Sequence, residues 1–247
     1  MTKGGLVKTW VIMNDLQIPF HDPKALGVVV DCVRDLKPHG IVLNGDVVDC
    51  YTISRFSKNP LCQSTLNQEI RIATGLLRRL APVSTERWWL GGNLEDRLRK
   101  YIWDKAPELA TEVNFPKLFH IEDEGFRWKD YGGSLRVGNL LVTHGSMVNK
   151  HSGWTARSHL EKYGTSILIG HTHRLGAFFK RDYKGIHGAW ENGCLCLLSP
   201  EYDQFPNWQQ GFSVVTVGDN GLFSVQQLPV LNRTIVQFGI KQYHGRS

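Results

Sequence analysis

Five short apolar runs in the first two-thirds of the chain are each followed at once by a polar turn, and amphipathic stretches separate them. Residues 9–13, 41–43, 88–90, 140–142 and 167–169 read as buried strands. Between them, 23–36 and 61–80 have helical spacing, 94–103 reads as a helix, and 152–163 reads as a helix opened by Ser152 as its cap. Such alternation predicts an α/β sheet and excludes a helix bundle. After His173 the pattern turns β-rich, with runs at 178–180, 194–198, 212–217 and 222–228 and a hairpin signal at Asp219-Asn220-Gly221. No Pro- or Ser-rich linker interrupts the chain. The expectation is therefore one domain over 1–247, with residues 174–247 adding antiparallel strands to it.

Composition removes several alternatives. At 41% hydrophobic and 21% charged residues, disordered and fibrous classes are excluded. No apolar run approaches the ~20 residues of a membrane-spanning helix. The segment before Asn14 is too short for a signal-peptide core, so no membrane partner and a cytoplasmic location are expected. Lys plus Arg number 29 against 23 acids, a net charge of +6. That excess suits a phosphate-bearing partner, although no block of like charges accompanies it. The five cysteines are odd in number and scattered, without zinc-site spacing, and read as buried free thiols.

The chemistry lies at the strand exits. The five runs deliver Asn14-Asp15-Leu16-Gln17, then Asn44-Gly45-Asp46-Val47-Val48-Asp49, Gly91-Gly92-Asn93-Leu94-Glu95-Asp96, Thr143-His144-Gly145, and Gly170-His171-Thr172-His173. Ligands of α/β sheets bind outside the carboxyl ends of the strands, so five such exits can converge. Oxygen from Asp, Asn and Gln with nitrogen from His suits Mn²⁺, Fe²⁺ or Zn²⁺. His171 and His173, two apart on an extended segment, would point the same way. Taken singly, Asn93 would cap a helix starting at Leu94, with Glu95 and Asp96 at its positive end. Asp46 and Asp49 would be turn residues, and His144 a structural histidine. Five such exits in order favour one metal site.

The series Asp15-x-Gln17, Gly45-Asp46-x-x-Asp49, Gly92-Asn93-x-Glu95, His144-Gly145 and Gly170-His171-x-His173 resembles the calcineurin-like metallophosphoesterase superfamily, whose motifs read D-x-H, G-D-x-x-D, G-N-H-E/D, a lone His and G-H-x-H. The stretches 189–194 and 207–212 are similar to phage-type members. The resemblance implies an α/β fold, an αββα sandwich of two packed mixed sheets flanked by helices. It implies two divalent ions, Mn²⁺ foremost, with Fe²⁺, Zn²⁺, Ni²⁺ or Mg²⁺ as alternatives. Asp15, Asp46 and His173 would hold the first ion, with Gln17 at the fourth place. Asp46, bridging, would hold the second with Asn93, His144 and His171, and a hydroxide between the ions would attack phosphorus. Asp49 would support its loop rather than bind metal.

Two positions depart from the family. Gln17 replaces a histidine with a neutral oxygen ligand, favouring harder ions such as Mn²⁺ or Mg²⁺. Leu94 replaces the histidine that contacts phosphate and protonates the leaving oxygen, a contribution of about 10²–10⁴-fold. His21, His120 and His151 are the candidate substitutes, each weighed against a surface or structural role. The expected activity is phosphoester hydrolysis, of diesters before monoesters, on a phosphate ester that includes nucleotides or nucleic acid among its candidates. The alternatives are a catalytically weak binding or scaffold protein on the same fold, and a nuclease of phage DNA metabolism working in the host cytoplasm. Arg55, Lys58, Arg97, Arg99 and Lys150 read mainly as solvated helix faces. Tyr183, Trp190, Tyr202, Phe205 and Trp208 read as core packing before base-stacking surfaces.

Overall fold

In β1 (Lys8–Met13) the side chains alternate sides, yet Val11, Ile12 and Met13 are all fully buried. Such a strand must be covered on both faces. The computed structural model, which describes residues 7–201, 203, 205–232, 235–239 and 241–244, shows what covers it. The first half continues with α1 (Pro23–Leu36), β2 (Gly40–Asn44), α2 (Leu66–Leu80), β3 (Glu86–Leu90), α3 (Asp96–Lys105), α4 (Phe115–Leu118) and β4 (Arg127–Lys129). Then come β5 (Ser134–Val137), β6 (Leu140–Thr143), α5 (Trp154–Tyr163), β7 (Ile167–Ile169), β8 (Leu175–Asp182) and β9 (Gly185–Asn192). The chain closes with β10 (Gly211–Val217), β11 (Phe223–Pro229), β12 (Ile235–Phe238) and β13 (Lys241–His244).

One large sheet runs β11-β10-β1-β2-β3-β4 and the other β5-β6-β7-β9-β8, while β12 and β13 pair with each other as a separate antiparallel ribbon. Both are mixed. β1 to β4 are parallel, as are β6, β7 and β9, while β10, β11, β5 and β8 join antiparallel. Ile12, Val42, Leu90 and Val215 of the first sheet meet Val137, Val142, Leu168 and Trp190 of the second in one apolar layer. On its other face the first sheet packs Val11, Met13, Ile41 and Leu43 against α1 and α2. The second sheet packs Leu141, Ile167 and Ile169 against Ala156 and Leu160 of α5. The architecture is the αββα sandwich of two mixed sheets flanked by helices. No helix among the described residues is long and apolar enough to cross a membrane.

Most strand ends shift by one to three residues from the sequence expectation, and four larger differences have local reasons. The second helix starts at Leu66 rather than 61, because Thr65 caps it by accepting from the Gln68 N–H at 3.2 Å. α3 starts at Asp96, and Asn93 caps nothing. α5 starts at Trp154 after Gly153, whose φ of 83° suits glycine. Its first free N–H groups, on Thr155 and Ala156, are taken at 2.9 and 3.2 Å by the carboxylate of Glu191 from β9, not by Ser152. Residues 194–198 form no strand. Gly193 turns the chain at φ 71°, and single bridges pair His21 with Cys196 and Cys194 with Gln210.

Candidate metal centre

The loops after β1 and β2 are zipped together: Asp15 N–H donates to Gly45 O at 3.0 Å and Gln17 N–H to Asp46 O at 2.9 Å. Below them the buried Glu95 carboxylate accepts four backbone N–H groups, from Gly92 (2.7 Å), Asp46 (2.9 Å), Val47 (2.7 Å) and Val48 (3.3 Å). Burial pushes the Glu95 carboxyl up to about 7, assisted by the Asp46 charge and opposed by His144 and these N–H donors. Gly92 leaves no alternative residue, since a Cβ there would stand 2.2 Å from Asp46 Oδ1. Asp15, Gln17, Asp46, His171 and His173 all hold φ between 50° and 70°. Left-handed backbone costs on the order of 1 kcal/mol or more per non-glycine residue, and such strain clusters at functional sites.

The side chains fall into two groups. In the first, His173 Nε2 lies 3.1 Å from Asp15 Oδ1 and 3.2 Å from the Gln17 amide. Asp15 Oδ2 accepts the His171 N–H at 2.8 Å and the Asn14 amide at 2.5 Å. In the second, His144 Nε2 lies 3.3 Å from Asp46 Oδ2 and 3.2 Å from Asn93 Oδ1. His171 completes this group, with ligand atoms of Asp46, His144 and His171 all within 4.8 Å of one another. His144 Nδ1 faces Asn44 O at 2.8 Å. That carbonyl accepts a hydrogen bond from Nδ1–H, so Nε2 is the atom that faces the two oxygens.

These donors fit a divalent cation. Asp15 Oδ1 is fully buried, with His173 Nε2 at 3.1 Å as its neighbour. The facing atoms of Asp15, Asp46, Asn93 and His144 are all electron-pair donors, and turning the Gln17 amide brings its oxygen to the same point. The carboxylates also raise the basicity of the imidazoles beside them. Burial opposes an imidazolium at His144, but Asp46, by charge and hydrogen bond, lifts it to about 10. At His173, burial is likewise outweighed by Asp15 and Cys196, and the pKa stands well above its ordinary value. Burial also works against a charged Asp15, yet His173, His144 and Asn14 hold it below the carboxylate range. Burial and His144 instead lower His171.

The remaining sequence candidates are placed as follows. Leu94 is 5% exposed, and its N–H donates to Asp46 Oδ1 at 2.9 Å. Asp49 is bound by Arg97 at 2.6 Å, so Arg97 is a brace for the loop and not a solvated helix face. His21 is half-buried at the Cys196 bridge, and burial lowers its pKa. His120 pairs with Asp123 at 3.0 Å, and the exposed His151 packs its ring edge-on to Trp154. Trp190 is in the core, but Tyr183 and Phe205, expected there, are 92% and 91% exposed. Tyr183 follows the end of β8, and Phe205 lies in an irregular loop, so neither has a layer to enter. Trp208 packs on the His173 ring at 4.2 Å. Tyr202 lies outside the described residues.

Three roles were not foreseen from the sequence: the Glu95 anchor, the Asn14 link to Asp15, and Cys196, whose Sγ lies 3.8 Å from His173 Nδ1. Cys194 and Cys196 bring two buried thiols beside that imidazole. On the far side of Glu95, α3, α4 and the turn after β4 enclose a cleft of about 360 Å³ lined by residues such as Trp103, Phe115, Trp128 and Tyr131, with none of the seven ligand candidates in its wall.

No protein-family model matches the chain. The Gene 54 protein of Mycobacterium phage D29 is 30% identical over 237 residues, covering 86% of this chain and 90% of the phage protein. The chain belongs to the phage Gene 54 protein family. The Gene 54 protein of Mycobacterium phage L5 is 28% identical over 231 residues, covering 85% of this chain and 89% of its own length. Vacuolar Protein Sorting 29 from Cryptosporidium parvum has a similar structure, with a TM-score of 0.53 at 11% identity over 96% of this chain and 98% of that one. The fold of this Gene 54 relative is the calcineurin-like metallophosphoesterase fold.

Proposed function

We propose that this chain is a divalent-metal-dependent phosphoester hydrolase with a preference for diesters, acting in the cytoplasm, that of the host cell where a phage encodes it. The observation that carries the reading is the gathering of seven donor side chains from five strand exits into two groups, with the Asp15 carboxylate fully buried among them. Asp15, Gln17 and His173 would hold one ion, and Asn93, His144 and His171 another, with Asp46 shared. Two such ions, Mn²⁺ foremost, would neutralise the phosphoryl oxygens and bring the pKa of an attacking water toward neutrality. The chain's own residues set the geometry for this. Glu95 fixes the Asp46 loop, and Asn44 O fixes the His144 tautomer. Leu94 offers no proton to the leaving oxygen, so substrates with good leaving groups react fastest.

Turnover of bis(p-nitrophenyl) phosphate with added Mn²⁺ tests this, because nitrophenolate leaves without a proton. Turnover abolished by Asp46→Asn is expected, and Leu94→His is expected to extend activity to poorer leaving groups. A second reading, a phosphoesterase-fold binding protein with little catalysis, is favoured by the buried Leu94 and by Gln17. With no turnover above the Asp46→Asn background, that second reading takes the lead.

A further inference from the structure

The donor groups at the strand exits use one nitrogen of the His173 ring and leave the other. Nε2 faces Asp15 and Gln17, whereas Nδ1 faces Cys196 Sγ at 3.8 Å. Cys194 joins this second pair. Ligand atoms of His173, Cys194 and Cys196 all lie within 4.8 Å of one another, and all three residues are buried.

The main chain holds the three residues in place without help from their side chains. Gly193 N–H donates to Arg174 O at 2.8 Å, Cys194 N–H to Gln209 O at 3.0 Å, Leu195 N–H to Asp15 O at 3.0 Å, and Gln209 N–H to His173 O at 2.8 Å. Single bridges fix the chain at Cys194 and again at Cys196. Two residues apart on this extended stretch, the two thiols point the same way, while Leu195 between them enters the apolar core. Local spacing hides the group, because its imidazole comes from the β7 exit, 23 residues before Cys196.

Two thiols and an imidazole select Zn²⁺ over Mn²⁺ or Mg²⁺. With sulfur at about 2.3 Å and imidazole nitrogen at about 2.0–2.1 Å, a tetrahedral Zn²⁺ sets its ligand atoms about 3.5–3.8 Å apart. The 3.8 Å between Cys196 Sγ and His173 Nδ1 matches that spacing. Gln209 O, 3.6 Å from Cys194 Sγ, has a lone pair to offer at the fourth place. Beyond the ring, Asp15 Oδ1 lies 3.1 Å from Nε2, where it can accept the ring N–H, the carboxylate–histidine pairing that orients zinc-bound imidazoles. We propose that His173 Nδ1, Cys194 and Cys196 form a closed, thiolate-rich Zn²⁺ site that clamps the turn after β9 to the β7 exit. Both thiol protons leave to solvent on binding, and the ring keeps one proton at Nε2. Zn²⁺ here and an ion at Asp15 are therefore alternative uses of one imidazole. The site stands whether or not the strand exits hydrolyse phosphoesters.

The test is zinc-edge X-ray absorption of the full wild-type chain, stripped of ions, kept reduced with a phosphine and given one equivalent of Zn²⁺ without Mn²⁺. Sulfur neighbours at about 2.3 Å are expected beside nitrogen. A shell of nitrogen and oxygen alone overturns the proposal, and this arm needs no variant to fold. Cd²⁺ titration gives a second readout, because thiolate ligands confer an ultraviolet charge-transfer absorption on it. Absorption saturating at about one Cd²⁺ per chain is expected, lost in Cys194→Ser and in Cys196→Ser. Cys62→Ser, which alters a partly exposed thiol outside the group, should keep it, and so should Asp46→Asn. Circular dichroism checks that each variant is folded. Absorption that survives Cys194→Ser, or that disappears in Cys62→Ser or Asp46→Asn, would overturn the proposal.

Discussion

Removing the Glu95 carboxylate should damage this protein more than removing any surface acid. Its two oxygens accept N–H groups from Gly92, Asp46, Val47 and Val48, three of them at 2.7–2.9 Å, and the side chain is buried. Each hydrogen bond to a charged acceptor is worth about 1.5–3 kcal/mol, and a buried donor left unpaired costs about 1–3 kcal/mol. Burying the carboxylate has its own cost, visible in the rise of its pKa to about 7, which offsets part of the gain. Glu95→Ala should therefore cost roughly 3–5 kcal/mol net. For a chain this long, about 2–4 °C of Tm accompanies each kcal/mol, so a fall of roughly 10 °C is expected. Glu95→Gln keeps one acceptor oxygen but turns an NH2 toward the donors, and should fall about half as far. Differential scanning calorimetry of the ion-free protein reads this directly. Glu161→Ala is the control, because its exposed pair with Arg157 is worth under about 0.5 kcal/mol. A Glu95→Ala protein melting within about 2 °C of wild type would refute the assignment of Glu95 as the anchor of the site loops.

Gly92→Ala should displace Asp46 and lower Mn²⁺ affinity at least about tenfold by isothermal titration. Gly75→Ala in α2, where nothing lies within 4 Å of the added Cβ, should instead stabilise by about 0.5–1 kcal/mol in a melting experiment. Cys196→Ala should weaken Mn²⁺ binding about tenfold by removing the acceptor at His173 Nδ1, with Cys196→Ser restoring most of it. Glu69, buried under the N–H groups of Cys50 and Tyr51, is pushed up to about 8 from 4.5, chiefly by burial. Its folded form holds the proton more tightly than the unfolded form. Its contribution is thus complete below pH 4.5 and is lost as pH rises through about 8, by up to roughly 1.4 kcal/mol per unit. Glu69→Gln should remove that slope from urea midpoints measured between those pH values.

The legible parts of the chain were those in which local signals and tertiary structure agree. Pro23–Leu36 and Ile167–Ile169 were read to the residue, the first because Asp22, Pro23 and the apolar stripe all mark one helix. The strand exits were legible because Gly-flanked Asp, Asn and His after apolar runs have few other uses. Where a side chain serves a distant partner, local reading failed. Asn93 carries a cap signal but turns to His144, and the cap of α5 comes from Glu191, 36 residues beyond Thr155. β9 escaped notice because Gly185, His187, Gly188 and Glu191 break its β pattern, and only pairing with β7 and β8 makes it a strand. The Glu95 anchor was equally hidden, since three of its four N–H donors lie nearly fifty residues away. Tyr183 and Phe205 misled because ring size suggests burial, whereas both sit where no second layer covers them.

Mn²⁺ stoichiometry tests the central claim most directly, by equilibrium dialysis of the ion-free chain with elemental analysis of the bound ion. About two ions per chain are expected, falling below one in Asp46→Asn, because the proposed function has both ions drawing on that carboxylate. A wild-type chain that retains no stoichiometric divalent ion, or an Asp46→Asn chain that retains as many as wild type, would contradict the assignment of these strand exits as a metal centre.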